Sequence, residues 1–155
     1  ELVLMHNRSD GSVAGANIEY RDVVEDVVAE LSAAADRALR AGVASEHIWL
    51  DPGIGFAKTA ADSLSMLAAI PQLARVGYRV LVGPSRKSFI AAVEARANVV
   101  PQSTPLERLG GTAAAVAFSV MGGAQAVRVH DLQVMRQVVL VTQALLAAQG
   151  QGRQG

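Results

Sequence analysis

Residues 48–59 read IWLDPGIGFAKT, a short apolar run followed at once by a polar turn. Three consecutive apolar residues bounded by turn-forming residues are typical of a buried strand. Asp51 comes directly after the run, and a stiff proline and two conformationally free glycines follow it. The pattern therefore predicts a strand that presents a carboxylate in a fixed direction at its carboxyl end.

Three further apolar runs have the same form, and each also ends in unusual polar residues. They are Leu2 to Met5, Arg79 to Val82 and Ala126 to Val129. Polar residues at the ends of several buried strands are unusual, because a strand end that only packs against a core needs none of them. We therefore predict four strands whose carboxyl ends carry the functional residues.

Helical patterns separate the predicted strands. Apolar residues recur at steps of three and four from Val23 to Leu39 and end before Gly42, which predicts an amphipathic helix with a glycine beyond its C-terminus. A second helix is predicted to begin at an N-cap, Asp62, and to break at Pro71. The remaining predicted helices cover residues 85–97, 105–121 and 132–148, and the glycine pair 122–123 ends the middle one.

Four strand–helix units in succession predict an α/β fold with parallel strands and right-handed crossovers. Such units make half of a TIM (β/α)8 barrel, and an open four-stranded sheet is the alternative that periodicity does not exclude. We assign residues 1–149 to this half-barrel. Residues 150–155 have the composition of a disordered tail.

Composition excludes several classes of function. Fourteen basic and fourteen acidic residues give a formal net charge of zero, so no basic surface for nucleic acid or an anionic membrane is expected. The chain has no cysteine and no apolar run long enough to span a membrane. We expect a cytoplasmic protein without a signal peptide, and a chain that begins within a strand, as a fragment would.

The carboxylate of Asp51 can accept two N–H donors from a guanidine-like or aminopyrimidinone heterocycle. The alternative is an ordinary aspartate turn. Phe56 follows in the same loop, where an aromatic ring forms either a ligand wall or a buried loop anchor. After the first strand, His6 is interpreted as a structural hydrogen-bonding residue rather than a catalytic one.

The third strand ends in VGPSRKSF, residues 82–89, where two cations stand beside two hydroxyls at a predicted helix start. A purely structural interpretation makes Ser85 the N-cap of the helix and leaves the side chains of Arg86 and Lys87 in solvent. Cations at a helix N-terminus oppose its dipole, however, and such a violation favours a functional site for an anionic or carbonyl-bearing ligand.

The fourth strand reads AVRVHD, residues 126–131, in which Arg128 and His130 are two apart and are expected on one side of the strand. Barrel enzymes often bind phosphate near their last two strands, so this pair is predicted to hold a phosphate or pyrophosphate. A salt bridge between Arg128 and Asp51 is the structural alternative.

Taken together, these strand ends resemble the dihydropteroate synthase family. The matching segments are residues 4–6 (LMH), 50–56 (LDPGIGF), 83–88 (GPSRKS), 108–112 (RLGGT) and 128–131 (RVHD). Members of that family are eight-stranded barrels, and this chain is similar to the second half, strands five to eight. The resemblance implies that 6-hydroxymethyl-7,8-dihydropterin pyrophosphate condenses with p-aminobenzoate to give 7,8-dihydropteroate and pyrophosphate in folate biosynthesis, with sulfonamides as inhibitors.

The resemblance also implies a role for each strand end. Met5, Asp51, Lys87 and Arg128 would bind the pterin, and Arg128 with His130 would hold the pyrophosphate. Phe56, Ser85, Lys87 and Ser88 would form or support the p-aminobenzoate pocket. The residues expected to act in catalysis are Lys87, Arg128 and His130.

The same resemblance places some of the family's site outside this chain. Magnesium is expected on the pyrophosphate, with its protein ligands in the missing half, so the chain alone is expected to be inactive. A homodimer through the late helices is expected as well. A non-catalytic paralogue, acting through pterin binding or through assembly, is the alternative.

Overall fold

The computed structural model describes residues 1–9 and 19–151. Its strands are β1 (Leu2–Met5), β2 (Ile48–Asp51), β3 (Arg79–Val82) and β4 (Ala126–Val127). Its α-helices are α1 (Val23–Arg40), α2 (Ala60–Ala68), α3 (Ile70–Ala74), α4 (Ser88–Arg96), α5 (Leu109–Met121) and α6 (Leu132–Gln151). The predicted α/β fold with four strands is confirmed.

All strand pairs are parallel, and the strands follow one another across the sheet in the order β1-β2-β3-β4. In this sequential order each right-handed crossover places its helix on the same face of the sheet. An open doubly wound sheet would instead reverse its strand order at one point and carry helices on both faces. The topology therefore favours the half-barrel over the open sheet.

The two faces of the sheet differ in burial. Ile48, Leu50, Val80 and Val82 are fully buried and belong to the core that packs against the helices. On the opposite face Val3 is 48% exposed and Met5 is 37% exposed. One face thus holds the core, and the other has the position that the interior of a closed barrel would have.

The first helix forms as predicted. The Asp22 side chain accepts hydrogen bonds from the backbone N–H groups of Val24 and Glu25, which caps the N-terminus of α1. At the other end Gly42 has φ +91°, the left-handed conformation that glycine adopts readily after a helix.

The predicted N-cap of the second helix was wrong. Thr59 caps α2, and Asp62 lies three residues later, where its side chain accepts from the Thr59 N–H in a capping box. The predicted break is confirmed, because α2 ends at Ala68 and Pro71 lies in the first turn of the separate helix α3.

Two helices begin later than predicted, α4 at Ser88 instead of residue 85 and α5 at Leu109 instead of residue 105. The predicted end of α5 before the glycine pair is confirmed. Strand β4 ends two residues early at Val127. Helix α6 continues to Gln151, into the predicted tail, and residues 152–155 of that tail lie outside the described residues.

Among residues 1–9 and 19–151, no helix combines the length and hydropathy that crossing a membrane requires.

Candidate active site at the carboxyl end of the sheet

The carboxyl ends of β2, β3 and β4 bring a carboxylate and two cations together. Asp51 is 2% exposed, and its Oδ1 accepts a 2.8 Å hydrogen bond from the N–H of Gly53. The other oxygen, Oδ2, receives no hydrogen bond from the described residues and lies 3.8 Å from Nη2 of Arg128. One oxygen of a buried carboxylate is thus left free to accept a donor from a ligand.

The electrostatic surroundings of Asp51 act in opposite directions. Burial raises the pKa of its carboxyl group, while the Gly53 N–H and the positive charges of Arg128, Lys87 and Lys58 lower it. Burial is the largest of these influences, so the ionised carboxylate is held at a cost to stability. A ligand that donates two hydrogen bonds would relieve that cost, because hydrogen bonds to the charged form stabilise it.

Lys87 reaches over the loop that follows β2. Its Nζ lies 4.0 Å from the centre of the Phe56 ring, a cation–π contact. Gly55 permits this approach, because a Cβ atom there would lie 3.2 Å from Cδ of Lys87. Burial lowers the pKa of Lys87, and the nearby Arg128 lowers it further, while Asp51 raises it. The Phe56 ring and the Lys87 ammonium therefore lie against each other close to Asp51.

Arg128 reaches from the end of β4 towards Asp51 across the backbone of β3. Its N–H donates a 2.9 Å hydrogen bond to the carbonyl oxygen of Val82, which extends the β3–β4 pairing by one residue. Its guanidinium lies against Gly83, where a Cβ atom would come within 3.2 Å of Nη2. The side chain is 61% exposed, and at 3.8 Å its contact with Asp51 is an ion pair without a hydrogen bond. The guanidinium therefore keeps its donors for a ligand.

His130 is fixed by Ser85. The Ser85 hydroxyl is buried, accepts from the backbone N–H of His130 at 3.2 Å and lies 2.9 Å from Nδ1 of the imidazole. Ser85 thus fixes both the backbone and the ring of His130. The predicted role of Ser85 as an N-cap is wrong, since Lys87 is the N-cap residue of α4. Because β4 ends at Val127, strand alternation does not apply to Arg128 and His130, which contact different neighbours.

Arg86 is held by a network of hydrogen bonds, so the interpretation of Arg86 as a solvated cation is wrong. Its side chain donates to both carboxylate oxygens of Asp131, at 3.1 and 2.7 Å, which lowers the pKa of Asp131. Its N–H donates to the Thr112 hydroxyl at 3.0 Å, and its carbonyl accepts from Arg108. These bonds hold the backbone of Arg86 at φ +59°, and Lys87 is the cation of this pair that lies near Asp51.

Two further predicted residues lie at the margin of this arrangement. Met5 pairs with Asp51 in the β1–β2 register and stands on the open face of the sheet. Ser88 is the exposed first residue of α4, directly after Lys87. Met5 therefore lies beside Asp51, and Ser88 lies next to Lys87.

Sequence reasoning missed a polar cluster behind the β2 loop. His6 is buried, as expected of a structural residue, and lies 3.0 Å from Oε2 of Glu30 and 2.9 Å from Nζ of Lys58. Lys58 belongs to the stretch 48–59, but the sequence alone predicted no role for it. The partners of His6, however, lie 24 and 52 residues away from it along the chain, and no local pattern connects them.

The site does not by itself fit a magnesium ion. Magnesium prefers several oxygen ligands, whereas these strand ends supply one carboxylate between two cations. Within the part of the chain that the structure describes, no three His, Asp or Glu side chains are grouped to hold a metal.

Comparison with known proteins identifies the family. The family described as "Pterin binding enzyme" matches residues 1–130. A dihydropteroate synthase from Synechocystis sp. is 42% identical over 144 residues, which are 93% of this chain and 48% of that protein. The chain spans about half the length of the curated relatives it matches.

Solved structures agree. Dihydropteroate synthase from Thermus thermophilus, in complex with 4-aminobenzoate, is 39% identical with a TM-score of 0.81, and the match covers 93% of this chain and 56% of that one. Its complex with 6HMPPP gives the same identity and TM-score, with 55% of that chain covered. The Yersinia pestis enzyme with a sulfonamide drug is 29% identical with a TM-score of 0.85, covering 94% and 51%. By sequence and by fold, the chain belongs to the family of pterin binding enzymes.

Proposed function

We propose that this chain forms the pterin-binding and p-aminobenzoate-binding half of a dihydropteroate synthase. The observation that carries the proposal is the buried Asp51, whose Oδ2 receives no hydrogen bond from the described residues and lies beside two cations. A neutral or cationic heterocycle with adjacent N–H donors suits that carboxylate, as the aminopyrimidinone edge of a pterin does. The relatives and their complexes support the same assignment.

The reaction breaks one bond and forms another. The carbon–oxygen bond between the pterin's exocyclic carbon and the pyrophosphate breaks, and the oxygen keeps the electron pair. The arylamine nitrogen forms a bond to that carbon, and the proton that it loses passes to water or to the released pyrophosphate. Lys87, Arg128 and His130 would stabilise the negative charge of the departing pyrophosphate, and fixed charges do this with little reorganisation.

Each side chain has a distinct task in this scheme. Asp51 and Met5 would hold and flank the pterin, and Arg128 would lie between the pterin and the pyrophosphate. Because Ser85 engages Nδ1 of His130, the other ring nitrogen, Nε2, is available to the anion.

The p-aminobenzoate pocket would be formed by Phe56, Lys87 and Ser88, with Ser85 supporting its wall through His130. The ammonium of Lys87 suits the carboxylate of p-aminobenzoate, and the Phe56 ring suits its aromatic face. A sulfonamide has a similar aromatic amine and would compete for the same pocket.

We propose that the chain alone does not turn substrate over and works in the cytoplasm with the rest of the barrel. On the face of the sheet that carries Met5, the side chains of Val3 and Met5 are 48% and 37% exposed and the Arg128 side chain is 61% exposed, so water reaches the groups that would hold the pyrophosphate. The magnesium expected on the pyrophosphate would be held by residues outside this chain, in keeping with the poor fit of the strand ends to that ion.

We propose a homodimer through the late helices as well. An apolar groove of about 470 Å³ lies between α2, α4 and α5, and Leu64, Phe89 and Phe118 are among the residues that line it. Phe118 is 51% exposed and Met121 is 56% exposed on the same helix. A second copy of the chain would bury these side chains, and Phe118→Ser is expected to shift sedimentation of a dimer towards the monomer.

The binding proposal is tested by calorimetry with a pterin pyrophosphate analogue and with p-aminobenzoate. The chain as it stands is titrated beside the chain extended to the length of its relatives. In the extended protein, Asp51→Asn is expected to abolish pterin binding and Lys87→Ala to abolish p-aminobenzoate binding. The controls are Asp36→Asn and Arg96→Ala, which remove exposed charges of the same sign from helices α1 and α4.

The outcomes separate the possible functions. Pterin binding with formation of dihydropteroate by the extended protein supports the synthase. Pterin binding without product favours a non-catalytic pterin-binding protein. Unchanged affinities in both site variants would refute the assignment of Asp51 and Lys87.

A further inference from the structure

The polar cluster behind the β2 loop links that loop to helix α1 through three side chains. Nζ of Lys58 lies 2.9 Å from Nδ1 of His6 and 3.3 Å from the carbonyl oxygen of Phe56. Nε2 of His6 lies 3.0 Å from Oε2 of Glu30, on α1. The chain of contacts therefore runs from Glu30 through His6 and Lys58 to the backbone of the residue whose ring forms the pocket wall.

The end of β1 holds the same loop at a second point. The N–H of His6 donates to the carbonyl oxygen of Asp51 at 2.9 Å. Gly53 passes so close to the carbonyl oxygen of His6 that a Cβ atom would lie 2.0 Å from it. One end of the loop is thus fixed by backbone contacts. Near Phe56 the loop is held by side chains instead: the Gly55 N–H donates to Oγ of Ser63 at 3.3 Å, and Lys58 donates to the Phe56 carbonyl.

Hydrogen-bonding capacity fixes the direction of each contact. An ammonium has donors only, so Lys58 donates to the Phe56 carbonyl and to an unprotonated Nδ1 of His6. His6 is then neutral with its proton on Nε2, from which it donates to Glu30. Burial and the Lys58 charge both lower the pKa of His6, which agrees with this neutral tautomer.

No other side-chain hydrogen bond reaches the Phe56 backbone among the described residues. Its N–H donates to the carbonyl oxygen of Gly53 within the loop. Tyr20 contacts the next residue, since its hydroxyl donates to the carbonyl oxygen of Ala57 at 2.9 Å. Lys58 is therefore the direct link between the Phe56 peptide and the rest of the fold.

We propose that Lys58 is a positioning residue that, through His6 and Glu30, holds the Phe56 ring in place for the arylamine substrate. This rests on the proposed function, and it goes beyond it by assigning arylamine affinity to a residue that need not touch the ligand. Lys58 acts on the peptide of Phe56, while Asp51 is held separately by His6 and Gly53. Loss of Lys58 is therefore expected to affect the arylamine side of the site more than the pterin side, on which Lys58 acts only through its charge near Asp51 and its contact with His6.

Lys58 also gives the arrangement a dependence on pH. Burial lowers its pKa to about 8, against the opposing effect of Asp51 and Asp62. The other charged groups that act on it are Arg8 and Glu30, and the Tyr20 ring lies 5.8 Å away. Above about pH 8 the amine loses a donor and its charge, so its hold on the Phe56 carbonyl weakens.

The test compares Lys58→Met and Lys58→Arg in the extended protein. Loss of two hydrogen bonds predicts that Lys58→Met raises the KM for p-aminobenzoate roughly tenfold, with kcat and pterin affinity changed less than about twofold. An arginine stays charged and keeps its donors, so Lys58→Arg is expected to restore most of the affinity. The KM of the wild-type protein for p-aminobenzoate should rise between pH 7 and pH 9 as Lys58 loses its proton, and Lys58→Arg should remove this part of the rise. Any part of the rise that comes from Lys87 should be the same in both proteins.

A second measurement needs no turnover. In the chain as it stands, Lys58→Met is expected to speed hydrogen exchange of the Phe56 amide about tenfold, because the loop opens more often. Arg96→Met, on the exposed side of α4, is the control and should leave that amide unchanged. Faster exchange of every core amide would indicate general unfolding and would overturn a local role.

The two proposals fail in different ways. An extended wild-type protein that forms no dihydropteroate overturns the proposed function. Hydrogen exchange of the Phe56 amide still shows in that case whether Lys58 holds the loop. An active wild-type protein whose Lys58→Met variant keeps its KM for p-aminobenzoate overturns the positioning role. A variant that loses kcat and pterin affinity to the same extent as arylamine affinity overturns it as well.

Discussion

Gly53→Ala is predicted to damage the site far more than the same change at Gly42. Both glycines have positive φ, +67° and +91°, so both alanines meet the roughly 1–2 kcal/mol penalty of a left-handed conformation. A Cβ at Gly42 would meet nothing within 4 Å, whereas one at Gly53 would lie 2.0 Å from the carbonyl oxygen of His6. The difference between the two variants therefore isolates the clash.

The size of that clash follows from the structure. An ordinary contact of a Cβ atom begins near 3.4 Å, so the loop and the end of β1 must separate by about 1.4 Å. His6 resists this movement, because its N–H is bonded to the Asp51 carbonyl at 2.9 Å. Overpacking of this kind costs about 1–3 kcal/mol, which brings the total for Gly53→Ala to about 2–5 kcal/mol.

Urea unfolding followed by circular dichroism measures the two variants on the chain itself, and calorimetry of the extended protein measures pterin affinity. Gly42→Ala should lose about 1–2 kcal/mol of unfolding free energy and retain its affinity. Gly53→Ala should lose more, and its pterin affinity should fall at least tenfold, because Asp51 moves with the loop. Equal losses in the two variants would refute the argument that the contact with His6 fixes the loop.

Three further changes test the electrostatics of the site. Burial raises the pKa of Asp51, so the stability of the wild-type chain falls as pH rises through the folded-state pKa. Asp51→Asn removes this titration. The variant should therefore melt a few degrees higher than the wild type at pH 7, and the difference should shrink towards pH 4. Gly83→Ala would place a Cβ 3.2 Å from the flexible end of Arg128, so pyrophosphate affinity should drop several-fold while stability, measured by urea unfolding, changes by less than about 0.5 kcal/mol. The pKa of Lys58 falls from 10.5 to about 8 on folding. The unfolding free energy of the wild-type chain should therefore rise by about 2 kcal/mol relative to that of Lys58→Met between pH 8 and pH 10.5, measured by the same urea unfolding assay. A difference that stays constant over this range would contradict the burial of Lys58.

The strands could be predicted because burial alone determines them. Strands β1 and β3 have the predicted bounds, and β2 differs by including Asp51. Strand β4 is shorter than its apolar pattern, since it pairs with β3 alone among the described strands, and the backbone of His130 bonds to a serine side chain instead of a neighbouring strand. Apolar patterning records which residues are buried, but it does not record where strand pairing stops.

Helix starts were predicted less well, because several residues could serve as caps. Thr59 and Asp62 are both good N-caps, and the structure uses them together, with Thr59 as the cap. At α4 the start is delayed by the left-handed backbone of Arg86, which is held by Thr112, Arg108 and Asp131. Those partners lie 22 to 45 residues away, so local sequence contains no sign of them.

Some features of the candidate site could likewise be predicted from the sequence, and others could not. The proximity of Asp51, Lys87 and Arg128 could be predicted, because the carboxyl ends of neighbouring parallel strands meet at one edge. The support that Lys58 receives from His6, and that His130 receives from Ser85, could not be predicted, because each pair joins segments about 45 to 52 residues apart. Strand order places the groups that meet a ligand, whereas side-chain contacts between loops decide how rigidly they are held.

The two kinds of ligand-binding group in this chain are not equally prepared. Asp51 is buried at 2% exposure and oriented by the Gly53 N–H even though the face of the sheet above it is open, whereas the Arg128 side chain is 61% exposed. Recognition of a heterocycle edge by Asp51 therefore needs little from the rest of a barrel, because its hydrogen-bonding geometry is already set. In the proposed reaction, stabilisation of the departing pyrophosphate by Arg128 would depend strongly on exclusion of water, since a charge interaction gains several-fold when water is removed. Weak pterin binding without turnover is thus the behaviour that this half of the site should show alone, and closing the open face should affect the chemical step more than the recognition of the pterin.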